Sequence, residues 1–169
     1  YGESGSGKST FLEYIYKIMN NIDDEYSKNI AFMPQTISMI SNNIYETISL
    51  SENYNQQEIE KILTKLGLQN LIERFSNKIF SNEGLINFSG GQLQRIIIAR
   101  AIYHKKKILI LDEFTSSLDT KTEKKVLDIL KKIQDENNIT IICSTHKNIM
   151  RDYSDSIYSI ERDILEKIK

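Results

Sequence analysis

Cysteine, proline, net charge and long apolar runs are all scarce in this chain of 169 residues, and each scarcity excludes something. Cys143 is the single cysteine, so no internal disulfide can form, which fits a reducing compartment. A lone thiol in the β-branched run Ile139–Cys143 reads as a small apolar core residue. Pro34 is the only proline, so it is strong punctuation where it stands, closing the apolar run Ile30–Met33. The formal net charge is −1, which leaves no overall basic field for DNA, RNA or an anionic membrane. The short run Lys105–Lys107 reads as a solvated loop before a strand. No stretch approaches the roughly 18–20 apolar residues that a membrane-crossing helix needs. Internal repeats and low-complexity tracts are absent too. Hydrophobic residues make up 40% and charged residues 27%, the balance of a globular domain large enough to bury one core.

What is present concentrates first at the N-terminal end. Gly2, Gly7, Lys8 and Ser9 fit G-x-x-x-x-G-K-[ST], with Gly5 as a further position free of a Cβ. A polyphosphate needs a ring of backbone N–H donors, and glycines let the chain wrap closely enough to supply them. The apolar residues Phe11, Leu12, Ile15, Ile18 and Met19 recur at helical spacing, so a helix over about 9–20 aims its positive end at the same anion. A flexible Gly/Ser linker would have no reason to end in Lys8-Ser9-Thr10 before that face. Lys8 would reach the terminal phosphates and the Ser9 hydroxyl would ligate Mg²⁺.

Asn20, Asn21 and Asp23–Glu25 predict a surface turn, and Ile30–Met33 a buried strand followed at once by Gln35. Residues 36–87 read as polar and helical, with Gly67 stopping a helix over 56–66. Phe88-Ser89-Gly90-Gly91-Gln92 opens a further helix over about 93–104, which Ser89 can cap while the glycines leave N–H groups open to an anion. The apolar strand Ile108–Leu111 ends in Asp112-Glu113. A buried strand explains the apolar part but not the acidic pair; beside a phosphate loop, the first acid would help hold Mg²⁺ and the second would polarise an attacking water. Such a general base contributes on the order of 10²–10⁴-fold in rate. Ser116–Asp119 forms a polar turn, and Thr120–Asn137 a helix with Thr120 and Glu123 at capping-box spacing. The strand over 139–143 leads to Ser144-Thr145-His146. A final strand over 156–160 and a short helical tail to Lys169 complete the reading.

Taken in order, these segments resemble the nucleotide-binding domain of ATP-binding cassette (ABC) transporters. The Walker A loop is Gly2-Glu3-Ser4-Gly5-Ser6-Gly7-Lys8-Ser9, extended by Thr10, and the Q-loop residue is Gln35. Ser89, Gly90, Gly91 and Gln92 match the family signature after Phe88. Walker B ends at Asp112, Glu113 matches the catalytic glutamate, the D-loop is Ser116–Asp119 and His146 matches the switch histidine. The resemblance spans essentially the whole chain.

It implies an α/β P-loop NTPase fold, a mostly parallel sheet flanked by helices with an inserted helical subdomain. The core would comprise residues 1–35 and 96–169, and the subdomain with the signature residues 36–95. It also implies a head-to-tail dimer burying two ATP molecules, each held by residues 2–10 and Gln35 of one subunit and covered in trans by Ser89, Gly90, Gly91, Gln92 and Asp119 of the other. Mg²⁺ would be held by Ser9, Gln35 and Asp112, with Glu113 and His146 catalytic. The implied activity is ATP hydrolysis driving transmembrane transport at the cytoplasmic face of the cell membrane. The implied partners are a second nucleotide-binding domain and a transmembrane domain, fused or separate, with no nucleic acid.

The stretch Ile37–Ser49 resembles the segment with which exporter-type cassettes meet their membrane partner, and Glu83-Gly84 is reminiscent of the exporters' extra loop, so export is expected over import. The sequence departs from the family pattern twice. The strand before Walker A and the adenine-stacking aromatic lie upstream of Tyr1, which is the expectation for a piece of something longer. Between Lys8 and Gln35 the chain is short by a β-hairpin. The alternative function is a soluble ABC ATPase in DNA repair or translation. Translation factors of that type carry two cassettes, and repair ATPases insert a long coiled coil where this interval is compact and without heptads. A cassette that binds ATP without hydrolysing it finds no support while Glu113 and His146 are both in place.

Overall fold

The computed structural model describes residues 1–3, 5–22, 24–35, 43–76, 88–161 and 164–169. In chain order the elements are α1 (Lys8–Ile22), α2 (Asp24–Asn29), β1 (Ile30–Met33), α3 (Ile44–Ser49), α4 (Gln56–Lys65), α5 (Gln69–Ser76) and α6 (Gly90–Tyr103). They continue with β2 (Ile108–Leu111), α7 (Thr120–Asn137), β3 (Thr140–Cys143), α8 (Met150–Tyr153), β4 (Tyr158–Glu161) and β5 (Ile164–Lys167). The chain divides into one unit of residues 1–35 and 106–169 and a second of residues 36–105. In this division α6 lies wholly within the second unit.

In the first unit the strands form a parallel sheet in the order β1-β2-β3, with Ile30 opposite Ile108 and Ile108 opposite Thr140. Ile and Leu dominate these short strands, as suits a sheet covered on its faces. Leu12 of α1 packs with Ile30 and Ile110, supported by Ile15, Tyr16, Met19, Phe32 and Ile142. Tyr16 stacks on Phe32 at 5.3 Å between ring centroids. This packing anchors α1 and, with it, the loop at its N-terminus. Val126, Leu127, Leu130 and Ile133 form the buried face of α7.

Three expectations are corrected here. Asp24 and Glu25 do not form a turn: they occupy the first turn of α2, where carboxylates favour the helix dipole, and Asn29 Nδ2 donates to Glu25 O, while Asp23 lies outside the described residues. The cap of α7 is Asp119, extended at φ −66° and ψ 155°, which accepts from the amides of Lys121 and Thr122. Thr120 is the first helical residue, so the Thr120–Glu123 capping box does not form. The tail is a strand, β5, pairing antiparallel with β4 so that Ile160 faces Leu165. Pairing with β4 satisfies backbone groups along its length, most of which a single helical turn would leave open. Between α1 and β1 the described residues hold only α2, consistent with the missing hairpin noted above.

The second unit is helical among its described residues. Asn43 caps α3 by accepting from Tyr45 N, and Asn55 caps α4 by accepting from Glu58 N. Ile44, Ile48, Ile59 and Leu63 are fully buried, as are Ile96 and Ala99 of α6, against which α3 and α4 pack. Gly67 ends the α4 region at φ +66°, a conformation that glycine reaches without strain. Arg95 donates to Leu66 O at 3.1 Å and Arg100 to Thr47 O at 2.8 Å, tying α6 to its neighbours. Burial pushes both guanidinium groups below their usual range. α6 begins at Gly90 rather than at Leu93, so both signature glycines lie inside its first turn. Of the exporter-like stretch, residues 37–42 lie outside the described residues, as does Glu83-Gly84; residues 44–49 form α3. Among the described residues, no helix is long and apolar enough to cross a membrane.

Candidate active site

The site is assembled in the first unit from the ends of β1, β2 and β3 and the N-terminus of α1. Parallel strands in register bring their C-terminal ends to one edge, where ligands of α/β sheets bind. The loop before α1 is shaped by its glycines. Gly5 and Gly7 have φ of +82° and +89°, left-handed values that a Cβ would penalise. A Cβ on Gly2 would stand 2.6 Å from Ser6 Oγ and 2.9 Å from Ile160 O, so the backbone approach itself requires glycine. Ser6 N donates to Glu3 O at 3.2 Å and Phe11 N to Gly7 O at 2.9 Å, closing the loop onto the helix.

Lys8 is the first residue of α1 and is buried at 5% exposure. Its Nζ donates to Gly2 O at 2.9 Å and Glu3 O at 2.6 Å, and lies 3.6 Å from Glu113 Oε1. Ser9 and Thr10 follow in the first helical turn, both exposed. Ser4 lies outside the described residues.

Glu113 is the focus of the site. Gln35 Nε2 donates to its Oε2 at 3.1 Å, and His146 Nδ1 stands 3.7 Å from its Oε1. Thus Lys8, Gln35 and His146, distant in sequence, converge on one carboxylate that is only 16% exposed. Glu113 itself has φ +42°, unusual for a residue with a side chain and of the kind found where backbone strain serves a site. Asp112 is buried at 5% exposure and accepts the Ser144 hydroxyl at 2.6 Å. Ser144 Oγ in turn accepts from Glu113 N at 2.8 Å.

Two residues here were not singled out by sequence. Ser144 is one, since a lone hydroxyl at a strand end forms no pattern. Lys147 is the other: its ammonium donates to Thr115 O at 2.7 Å, Leu118 O at 3.2 Å and Glu123 Oε2 at 3.2 Å. It joins the polar turn before α7 to the residue beside His146. Asp119 caps α7 in the single chain, and hydrogen bonds from Thr122, side chain and backbone, hold its carboxyl below the usual range.

The signature residues belong to the second unit. Ser89 is the N-cap of α6, its Oγ accepting from Gln92 N at 3.3 Å while Gln92 Oε1 accepts from Ser89 N at 3.0 Å. This capping box fixes the helix start with Ser89 and Gly90 exposed and Gly91 buried.

The model of the family described as "ABC transporter" matches residues 1–116. The chain belongs to the ABC transporter family. Its fold agrees: the dimeric structure of a post-hydrolysis state of an ATP-binding cassette bound to ADP and Pi aligns with 99% of this chain and 83% of that one, at a TM-score of 0.73 and 29% identity. A bacterial Atm1-family ABC exporter with ATP bound shares the fold over 97% of this chain and 32% of its own, at a TM-score of 0.76 and 22% identity. Among curated relatives, the multidrug resistance-like ATP-binding protein MdlA of Buchnera aphidicola is 36% identical over 99% of this chain and 32% of its own. The ATP-dependent lipid A-core flippase of Pasteurella multocida is 31% identical over 95% of this chain and 31% of its own. The chain thus spans about a third of the length of such relatives. The α/β P-loop class with a parallel sheet read from the sequence is the fold of this ABC ATPase domain.

Proposed function

We propose that this ABC domain binds ATP and hydrolyses it to drive export across a membrane, working from the cytoplasmic face as one half of an ATP-sandwich dimer. The observation that carries the catalytic part is the convergence of Lys8, Gln35 and His146 on Glu113. Relatives named as export ATP-binding/permease proteins support the direction, and the ADP- and Pi-bound dimer among the structural neighbours supports the assembly. Relatives of this kind favour transport over the alternative of DNA repair or translation.

In this reading the loop amides and Lys8 take the ATP phosphates, with the N-terminus of α1 behind them. Lys8 already stands across the loop mouth on Gly2 O and Glu3 O, a short reach from Glu113. Glu113 accepts a proton from water as the water oxygen bonds the γ-phosphorus; the bond to the bridging oxygen breaks and ADP departs with that oxygen. His146 and Gln35 hold the carboxylate in line, and His146 steadies the γ-phosphate. Ser9, Gln35 and Asp112 offer hydroxyl, amide and carboxylate oxygens, hard donors that suit Mg²⁺. Gln35 turns its nitrogen to Glu113 and so keeps its oxygen for ligation. When bound, the ion would neutralise charge on the phosphates. Ser89, Gly90 and Gly91 of a second copy or a related domain would cover the γ-phosphate, with Asp119 linking the two sites. A transmembrane domain, on the same chain or a separate one, would be the second partner.

The test is ATP titration and phosphate release in the intact protein. Lys8→Ala should lose ATP binding, and Glu113→Gln should keep binding while turnover falls on the order of 10²–10⁴-fold. Parental turnover in Glu113→Gln would remove the general-base role, and full binding and turnover in Lys8→Ala would remove the phosphate site.

A further inference from the structure

Asp112 and Glu113 end β2 with different tasks in the proposed reaction, and one side chain holds them both. Asp112 N donates to Met33 O and Ser144 N donates to Leu111 O, so the ladders on both sides of β2 run on past its last residue. Because Leu111 pairs with Cys143, the residue that follows β3, Ser144, arrives opposite the acid pair. Its side chain is 3% exposed, in surroundings where a hydroxyl is costly unless bonded. Both of its capacities are used. Glu113 N can only donate, so at 2.8 Å the hydroxyl oxygen must accept there. The single hydroxyl proton is then free for Asp112 Oδ1, which receives it at 2.6 Å. The direction of both bonds follows from donor and acceptor counts alone.

The consequence is greatest for Glu113. Its left-handed backbone, at φ +42°, is one that residues with a Cβ adopt only when the surroundings impose it. The bond from its amide to Ser144 is an anchor on one side of that residue, and the bond from Ser116 N to Glu113 O at 2.9 Å is an anchor on the other. Freed from the first, the backbone would relax toward negative φ and swing the carboxylate out of reach of Lys8, Gln35 and His146. Asp112 would lose at the same time the donor that fixes one of its oxygens.

We propose that Ser144 is a positioning residue for ATP hydrolysis, its hydroxyl locking the Asp112 carboxylate and the Glu113 backbone into a single arrangement. This rests on the ATPase reading above. It differs from a simple strand cap in what it predicts, since a cap would affect folding alone.

The experiment compares the parent with Ser144→Ala and Ser144→Thr in the intact protein. Outer-shell partners of catalytic ligands typically count for about 10–100-fold. Accordingly kcat for ATP should fall about 10–100-fold in Ser144→Ala with KM within about threefold of the parent, and Ser144→Thr should restore kcat to within about fivefold. A second readout needs no nucleotide: hydrogen exchange at the Glu113 amide should be slow in the parent and in Ser144→Thr and at least about tenfold faster in Ser144→Ala. Should the alanine variant fail to fold, Ser144→Cys, close in shape but a weak donor and acceptor, should show the same loss. Parental kcat in a folded Ala or Cys variant overturns the inference, as does unchanged exchange at Glu113 or a Thr variant as slow as Ala. A parent that hydrolyses no ATP overturns the function and this inference together, which the first result does not.

Discussion

The contact between Lys147 and Glu123 offers a sharp test of how the polar turn before α7 is held. Glu123 is 3% exposed; Lys147 meets its Oε2 at 3.2 Å, while its buried Oε1 has no hydrogen-bond partner among the described residues. Replacing Lys147 with Met keeps most of the stem but strands a carboxylate that is already half-satisfied. Removing one partner of a buried pair costs about 3–5 kcal/mol, and the 23% exposure of Lys147 argues for the lower end. The carbonyls of Thr115 and Leu118 lose a donor as well, worth about 1 kcal/mol each where water cannot replace it. With water able to reach those carbonyls at the partly exposed Lys147 position, the expected loss is about 3 kcal/mol, or a hundredfold or so in a local opening equilibrium. Hydrogen exchange of α7 in the intact protein reads this directly: its protected amides should exchange about a hundredfold faster in Lys147→Met. Combining Lys147→Met with Glu123→Leu removes both charges and should recover most of that protection, because the penalty comes from the unpaired acid rather than from the missing bond. Unchanged protection in the single variant, or a double variant as open as the single, would refute this account.

Three further outcomes can be checked. If the dimer shares its sites, Gly90→Asp, which suits a helix N-terminus but repels phosphate, and Lys8→Ala should each be inactive alone, yet their mixture should regain turnover through the one intact composite site of each mixed dimer; an inactive mixture that still forms mixed dimers would count against sharing. Hydrogen bonds depress the Asp119 carboxyl, so the stability it adds is present above its unfolded value and fades as pH falls through the folded one. Melting temperatures from pH 6 to pH 3 should then fall less steeply in Asp119→Asn, which caps without titrating, than in the parent; equal slopes would deny the effect. Burial pushes the Cys143 thiol from 9.0 up to about 11, so Ellman's reagent at pH 8 should find it about a hundredfold slower in the folded protein than in urea. The same shift makes its contribution to stability decline as pH rises from 9.0 toward about 11.

The parts legible in sequence are those whose chemistry demands several special residues close together. Gly2, Gly5, Gly7 and Lys8 announce the phosphate loop because each answers a backbone or charge requirement within one short stretch, and the structure gives each glycine a reason. The run Ile108–Glu113 was equally plain, since carboxylates directly after a buried strand are unusual without a task. What sequence misplaced was decided by choices between near-equals. Asp119 and Thr120 are both good caps, and only the extended backbone at 119 selects the first. Asp24 and Glu25 suit a surface turn and the first turn of a helix alike, and α2 uses them for the second. Ile164–Lys167 carries no period long enough to tell strand from helix, and its partner β4 decides.

Ser144 and Lys147 escaped for a deeper reason. Their roles depend on register, which no local pattern encodes: a hydroxyl reaches Asp112 and Glu113 only because Leu111 lies opposite Cys143, and an ammonium reaches Thr115 and Leu118 only because the strand beside them ends there. A shift of one residue between β2 and β3 would turn Ser144 to the other face and leave the Glu113 amide without that acceptor. The family motifs thus name the groups that touch nucleotide, while the pairing of two four-residue strands determines whether those groups are held in place. Stabilising substitutions elsewhere in β3 should therefore be compatible with function only where they preserve that register, and the position to watch is Ser144.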